Sequence, residues 1–432
     1  MSDKKIKNEI DWIGSIPHGW ASNKAKYLFA LRTSKGNIFN LKLLTPSQIY
    51  GVIPQEEYER LSSFKTVKLK EGTDLKQFRT VHKGDFCISL RSFQGGFEFS
   101  TYEGVVSPAY QIFYPVKKVC GRYYKYLFKI EPFINKINSL TLSLRDGKNI
   151  SFFDFGNIRI PTPKLEVQEK IANFLDSKCS EIDSLVADIQ KEISILEEYK
   201  KSVITESVTK GIVQNVEMKN SGINWIGKIP KTWTISRLKF LLKEKMKYGA
   251  SETGVDYSAE LPRYVRITDI LPNNKLKEEN KLSLTKEQSK GFILEDGTVL
   301  FARSGGTVGK TFLYNSQMGV ATYAGYLISA IANSCVLLPE WLFYFSLSSS
   351  YLTWVELIFS QSTIQNINAD KYSNMPLTLP PIEEQKSICS FLKKACSEID
   401  NAISEKQSQL EILAEYKKSL IYEYVTGKKE VI

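Results

Sequence analysis

The stretch ARSGGTVGKT, Ala302 to Thr311, places an arginine, three glycines and a lysine where a phosphate could be cradled. A nucleotide-binding loop of the form G-x-x-x-x-G-K-[ST] needs glycine five residues before Gly309, and Ser304 stands there. No convincing Asp-bearing apolar strand follows to hold a metal, so nucleotide chemistry from Arg303 to Lys310 is an alternative rather than the reading. A glycine-rich turn that offers backbone N–H groups, Arg303 and Lys310 to a phosphate chain, or that closes a hairpin, fits the residues better. Pro380 and Pro381 are followed by Ile382, so the Asn-Pro-Pro-Tyr type of amino-methylating tetrad is absent. No Pro-Asp dipeptide occurs, as a nuclease carboxylate pair would favour, and His18 and His82 give no nucleophile–base pair. Six cysteines without a C-x-x-C pair, with two histidines, assemble no usual zinc set; they read as reduced, mostly buried thiols. No catalytic residue and no metal site is expected.

The basic balance of the chain points to a polyanionic partner, nucleic acid or an anionic membrane face, and polar side chains on turns are candidates for touching it. Arg91, Ser92 and Gln94, and Arg303, Ser304 and Thr307, sit on polar turns after apolar runs. Arg145, Lys148 and Asn149, and Gln361, Ser362, Thr363, Gln365 and Asn366, occupy polar stretches further on. Arg79, Lys83, Arg263, Arg266 and Lys310 complete the candidates as cationic contacts to phosphate, should the polyanion be DNA.

The elements that must position these residues are written twice. WIGSIPHGW, Trp12 to Trp20, returns as WIGKIPKTW, Trp225 to Trp233, and Gln168 to Ile204 returns as Gln385 to Ile421, sharing CSEID and EYKKS. The second repeat carries heptads: Leu175, Ile182, Ile189, Leu196 and Val203 in one copy, and Leu392, Ile399, Leu413 and Leu420 in the other. A second row, Ile171, Leu185 and Tyr199 against Ile388, Ala395, Ala402 and Tyr416, flanks it, with Lys406 and Gln409 as polar exceptions. Prolines at 161, 163, 380 and 381 precede these runs, and Gly211 and Gly427 follow them. Each predicts a long helix of roughly 40 residues, about 60 Å, whose most economical partner is the other copy, with a homodimeric coil as the alternative.

Six segments follow: a short one at 1–20, a module at 21–160, a long helix at 161–211, the returning short segment at 212–233, a second module at 234–379 and a second helix at 380–432. Little sequence is shared between the modules beyond GKNIS at 147–151 facing IQNIN at 364–368, so two frames hold two different inserts. Runs such as DFCISL, YQIFYPV and TVLFA read as strands, while 125–137 and 340–355 have helical spacing, so each module is expected to be α+β.

Charge localises the partner. The chain holds 58 Lys and Arg against 47 Asp and Glu. The first module carries 22 against 11, the second 15 against 13, and the first helix is acidic with 7 against 10. A positive balance held in an aromatic-rich folded module rather than a tail fits phosphate contact around a reading surface. The lysines of the first residues are followed by no apolar run of signal type, and the uncharged stretch 311–339 is broken by polar residues and glycines. A cytoplasmic protein without membrane anchor is expected.

On the repeated IGSIPHGW and IGKIPKTW, the helix starts PTPKLEVQEKI and LPPIEEQKSI, the repeated CSEID and EYKKS, YVRITDI and GTVLFARSGGTVGK, the chain resembles the specificity subunit of type I restriction-modification systems. The resemblance implies two target-recognition domains, each reading one half of a split double-stranded DNA site, separated by an antiparallel helix pair that sets the spacer. It implies no catalysis in this chain and no cofactor of its own. S-adenosylmethionine, ATP and magnesium would serve partners: modification subunits, two of them, and restriction subunits. A coiled-coil structural adaptor is the rival reading from another class.

Overall fold

The computed structural model describes residues 9–35, 42–62, 77–88, 96–140, 150–360 and 366–431. They form two compact units, one built from residues up to 188 with those from 409 onward, the other from 189–408. No helix among the described residues is long and apolar enough to cross a membrane.

In the first unit, a sheet runs in the order Phe29–Leu31, Gln111–Pro115, Phe86–Ile88, Phe97–Phe99, antiparallel throughout. A second sheet runs Gly51–Pro54, Lys42–Ser47, Gly104–Val106, Arg79–Val81, and only its central pair is parallel. Alternating large apolar residues turn one face of the first sheet into an aromatic core. Phe86 and Phe113 stack at 5.1 Å, and Phe29, Phe97, Phe128, Phe133 and Phe155 close round them, mostly edge to face. The helical run expected over 125–137 is two helices, Gly121–Leu127 and Glu131–Leu140. The break falls just before Pro132, which lacks an N–H and is tolerated only in a first turn.

The second unit repeats part of this plan. One antiparallel sheet runs Lys247–Tyr248, Leu327–Ala330, Val299–Ala302, Thr311–Leu313. The other runs Val255–Asp256, Leu282–Ser283, Arg263–Val265, Ala321–Tyr323, with its last pair parallel. Helices Pro339–Leu347 and Ser349–Ser360 stand where the first unit has its pair, again two where 340–355 read as one. The fold is α+β, and two inserts with little common sequence share the strand order of their antiparallel sheet, whereas their mixed sheets differ in order and in the place of the parallel pair.

The long helices span Leu165–Lys210 and Ile382–Val425. In the first unit, Leu175 and Ile182 of one share a core with Leu413, Leu420 and Val425 of the other. In the second unit, Val203, Ile204 and Val208 share a core with Ile388, Leu392 and Cys396. Early residues of one helix thus meet late residues of the other, which makes the pairing antiparallel. Ile189 and Ile399 are buried, and Leu196 is half-buried. The flanking row is only partly covered: Ile171 and Ile388 are buried, whereas Leu185, Tyr199 and Tyr416 are exposed. A single helical partner shields a narrow stripe, and the wider stripe is covered only where a module also packs on it.

Both repeats have a structural reason. Gln168 and Gln385 are buried at matching places in the two helices. The Gln168 side chain accepts from Cys120 N at 2.9 Å and donates to the Pro163 carbonyl at 2.7 Å. That of Gln385 accepts from Leu338 N at 2.9 Å and donates to the Pro380 and Val336 carbonyls. Each therefore ties its own helix start to the residue preceding a module helix. The short repeated segment seats a helix end. Gly427, at φ 71°, lies so close to Pro17 and Trp20 that a Cβ would fall 2.3 Å from the Pro17 ring, and Gly211, at φ 78°, lies against Trp233, where a Cβ would fall 3.3 Å from the ring.

Candidate nucleic-acid interface

In the second unit, strand Val299–Ala302 leads into a tight loop and returns as Thr311–Leu313. Two buried tyrosines fix the loop's base: Tyr372 Oη donates to the Ala302 carbonyl and Tyr351 Oη to the Gly309 carbonyl, both at 2.8 Å. Lys310 Nζ donates to the Ile270 carbonyl, and burial pulls its ammonium below the usual lysine range. A nucleotide-binding loop opens a helix and keeps its lysine for phosphate. Here a strand follows and the lysine is engaged, so the alternative of nucleotide chemistry at Arg303 to Lys310 is not what this loop is built for.

The tip is a short 3-10 turn, Gly305–Thr307, with all three residues exposed and Gly305 at φ 76°, where a side chain would be strained. Ser304 pairs with Asn366 in an isolated antiparallel bridge, and Ile367 N donates to the Arg303 carbonyl at 2.9 Å. The structure therefore brings Arg303, Ser304, Thr307 and Asn366 together, although 366 is distant in sequence. The Arg303 guanidinium lies over the Tyr248 ring, 4.7 Å from its centroid. Its Nε is buried without a hydrogen-bond partner, as is Oδ1 of Asn366.

Other cationic candidates have different surroundings. Arg263 is 9% exposed; its Nη1 meets Glu278 at 2.7 Å and its Nη2 donates to the Lys277 carbonyl. Arg266 forks onto Asp269 at 3.0 and 2.8 Å and reaches the Asn280 carbonyl. Both guanidinium groups are taken up inside the unit, as structural ties rather than free contacts. In the first unit, Arg79 is half-buried and its Nε donates to the Pro108 carbonyl at 3.1 Å, while Lys83 is exposed on the turn before strand Phe86–Ile88. Arg91, Ser92, Gln94, Arg145, Lys148, Asn149, Gln361, Ser362, Thr363 and Gln365 lie outside the described residues.

Sequence reasoning did not single out Tyr248 or Tyr326. Tyr248 lies on an edge strand with its hydroxyl accepting from Ala369 N at 3.1 Å, and exposed Tyr326 accepts on its carbonyl from Arg303 N. No local pattern marks them, because both are defined by contacts with a distant loop. Gln168 and Gln385 did carry a signal, the same glutamine at the same place in both helix starts.

Comparison with known proteins gives a consistent picture. The family described as "Type I restriction modification DNA specificity domain" matches residues 17–194 and again 216–411. The specificity subunit of the type I restriction enzyme MjaVIII of Methanocaldococcus jannaschii is 26% identical over 291 residues, covering 64% of this chain and 63% of that protein. The chain thus spans less than two thirds of the length of the curated relatives it matches first. Among solved structures, a chain described under complex assembly and conformational transition of the type I R-M system has a TM-score of 0.66 at 15% identity, covering 95% of this chain and 98% of that one. The HsdS subunit from Thermoanaerobacter tengcongensis has a TM-score of 0.51 at 15% identity, covering 98% and 100%.

Proposed function

We propose, from the premise that this chain belongs to the family of type I restriction-modification DNA specificity domains, that it selects a bipartite double-stranded DNA target, each module reading one half. The observation that carries this reading is the doubled plan. Two modules that share the strand order of their antiparallel sheet each pack on both long helices within their own unit, while the sequences they carry differ. A repeated frame with divergent inserts fits a device in which two independent readings are held in one chain. The structural-adaptor reading accounts for the helices but not for the net positive first module or the divergent loops.

On this proposal the helices set the spacer between half-sites. The chain is non-catalytic; methyl transfer with S-adenosylmethionine, and cleavage with ATP and magnesium, belong to modification and restriction subunits. Two modification subunits fit best, because the repeat presents one surface twice. Ile195 and Tyr199 on the first helix, and Ile412 and Tyr416 at the matching places on the second, are all exposed.

Module exchange tests the reading. Replacing 21–160 by a foreign recognition domain should change one half-site in the methylation pattern of a cell supplying the partner subunits, and leave the other half intact. Alteration of both halves, or methyl transfer by the lone chain, would overturn it.

A further inference from the structure

We infer that Arg303 reads a guanine in the half-site of the second module, and that Tyr248 is the positioning residue that holds it ready. The assignment rests on the DNA-reading function proposed above and selects one residue from a broad set of polar candidates.

The selection comes from how each guanidinium is used. Arg263 and Arg266 each face a carboxylate. Arg32 of the first unit also lies over a ring, Tyr114 at 4.3 Å, but forks onto Asp85 at 2.7 and 2.8 Å. Arg303 has the ring without the carboxylate. No hydrogen bond or ion pair within the described residues engages it, its Nε is buried, and its two terminal nitrogens are not among the buried unpaired atoms, so they keep access to solvent. An unspent planar fork whose root is anchored and whose tip is open is the form that pairs with O6 and N7 of guanine in the major groove.

The surroundings make the fork rigid rather than merely unpaired. The Arg303 backbone is held from both sides, its N–H by the Tyr326 carbonyl at 3.0 Å and its carbonyl by Ile367 N at 2.9 Å. Tyr248 is fixed through its strand pairing with Ile328 and through its hydroxyl on Ala369 N, so the ring under the guanidinium cannot easily swing away. Stacking on a fixed ring removes side-chain freedom before DNA arrives, which reduces the ordering cost at binding. The exposed glycines beside it let a phosphate chain or groove wall approach the backbone closely.

The test is selection from random-sequence duplexes by the full chain, with and without a modification subunit, the second half-site being assigned by exchange of 21–160. The wild type should select a bipartite motif with guanine in the second half. Arg303→Ala should lower preference for that guanine roughly ten- to a hundredfold at one position, leaving the first half unchanged. Arg303→Lys, which keeps the charge, should lose part of the preference, because a flexible ammonium lacks the rigid planar fork and does not stack on the Tyr248 ring as a guanidinium does. Tyr248→Leu should relax the same position by a smaller factor, and Tyr248→Phe, which keeps the ring, should restore most of it. An unchanged motif in both Arg303 variants, a second half without guanine, or uniform weakening over all sequences would overturn the assignment; the last would make Arg303 a phosphate contact. No motif from the wild type would instead sink the DNA-reading proposal, and the assignment with it.

Discussion

Lys200 Nζ lies 2.7 Å from both carboxylate oxygens of Asp400, joining the two long helices in the second unit. The repeat places Lys417 where Lys200 stands and Asp183 where Asp400 stands, and in the first unit Lys417 Nζ lies 2.5 Å from Asp183. One contact is thus made twice, each time between the first copy of the repeat and the second. Antiparallel register is thereby fixed by charge as well as by the apolar seam.

That register gives the spacer proposal a mechanical test. Four residues inserted near Ser180, about one turn or ~6 Å, should lengthen the spacer by about one or two base pairs, since DNA rises about 3.4 Å per pair. The seam rotates by roughly 40° beyond a full turn, which a coil absorbs as a stutter. The half-sites themselves should stay as they are. Methylome sequencing decides: an active enzyme with an unaltered spacer would falsify the ruler.

Gln168 and Gln385 should matter for stability rather than recognition. Leucine strands one N–H and one carbonyl at 168, and one N–H and two carbonyls at 385, at about 1–3 kcal/mol for each buried group left unsatisfied. A fall in Tm of several degrees is expected for each variant. Hydrogen exchange should rise around Cys120 for Gln168→Leu and around Leu338 for Gln385→Leu. An unchanged Tm in both would count against the glutamine ties.

Salt dependence separates free cations from engaged ones. Lys83→Gln should reduce the slope of log affinity against log salt by about 0.9 if its ammonium meets a phosphate. Arg263→Met and Arg266→Met should leave the slope alone and lower Tm, because their guanidinium groups already satisfy Glu278, Asp269 and backbone carbonyls. Slope losses in the arginine variants equal to that of Lys83→Gln would contradict the ion pairs seen here.

Glu98, 1% exposed, is met by Lys129 Nζ at 2.7 and 2.8 Å. Burial pushes its carboxyl above the usual range, and Lys129 only partly offsets this. With the folded value above the unfolded one, its stabilising contribution is full below the ordinary carboxylate range and is lost as pH rises through the folded value. Glu98→Gln should flatten Tm against pH in that window and cost little at neutral pH. Lys129→Met, which leaves a buried carboxylate unpaired, should cost about 3–5 kcal/mol at neutral pH. Equal losses from the two variants would overturn this ordering.

The doubled frame, the long helices and their start and stop residues were legible in the linear chain because heptads, prolines and glycines act within a few residues of themselves. The family likeness followed from the same repeats. What the chain could not display was that two inserts as different as 21–160 and 234–379 share the strand order of their antiparallel sheet, since strand pairing depends on burial alternation that many sequences satisfy. Nor could it separate Arg263 and Arg266 from Arg303. All three read as cationic DNA-binding candidates; only the fold puts Glu278 and Asp269 beside the first two and Tyr248 beneath the third. The Trp12–Trp20 segment likewise gained its meaning from Gly427, more than four hundred residues away, whose missing Cβ leaves room for Pro17. Local patterns fix elements because their energies are local, whereas the fate of a charge or a close approach is decided by which distant groups the packed chain brings within a few ångströms.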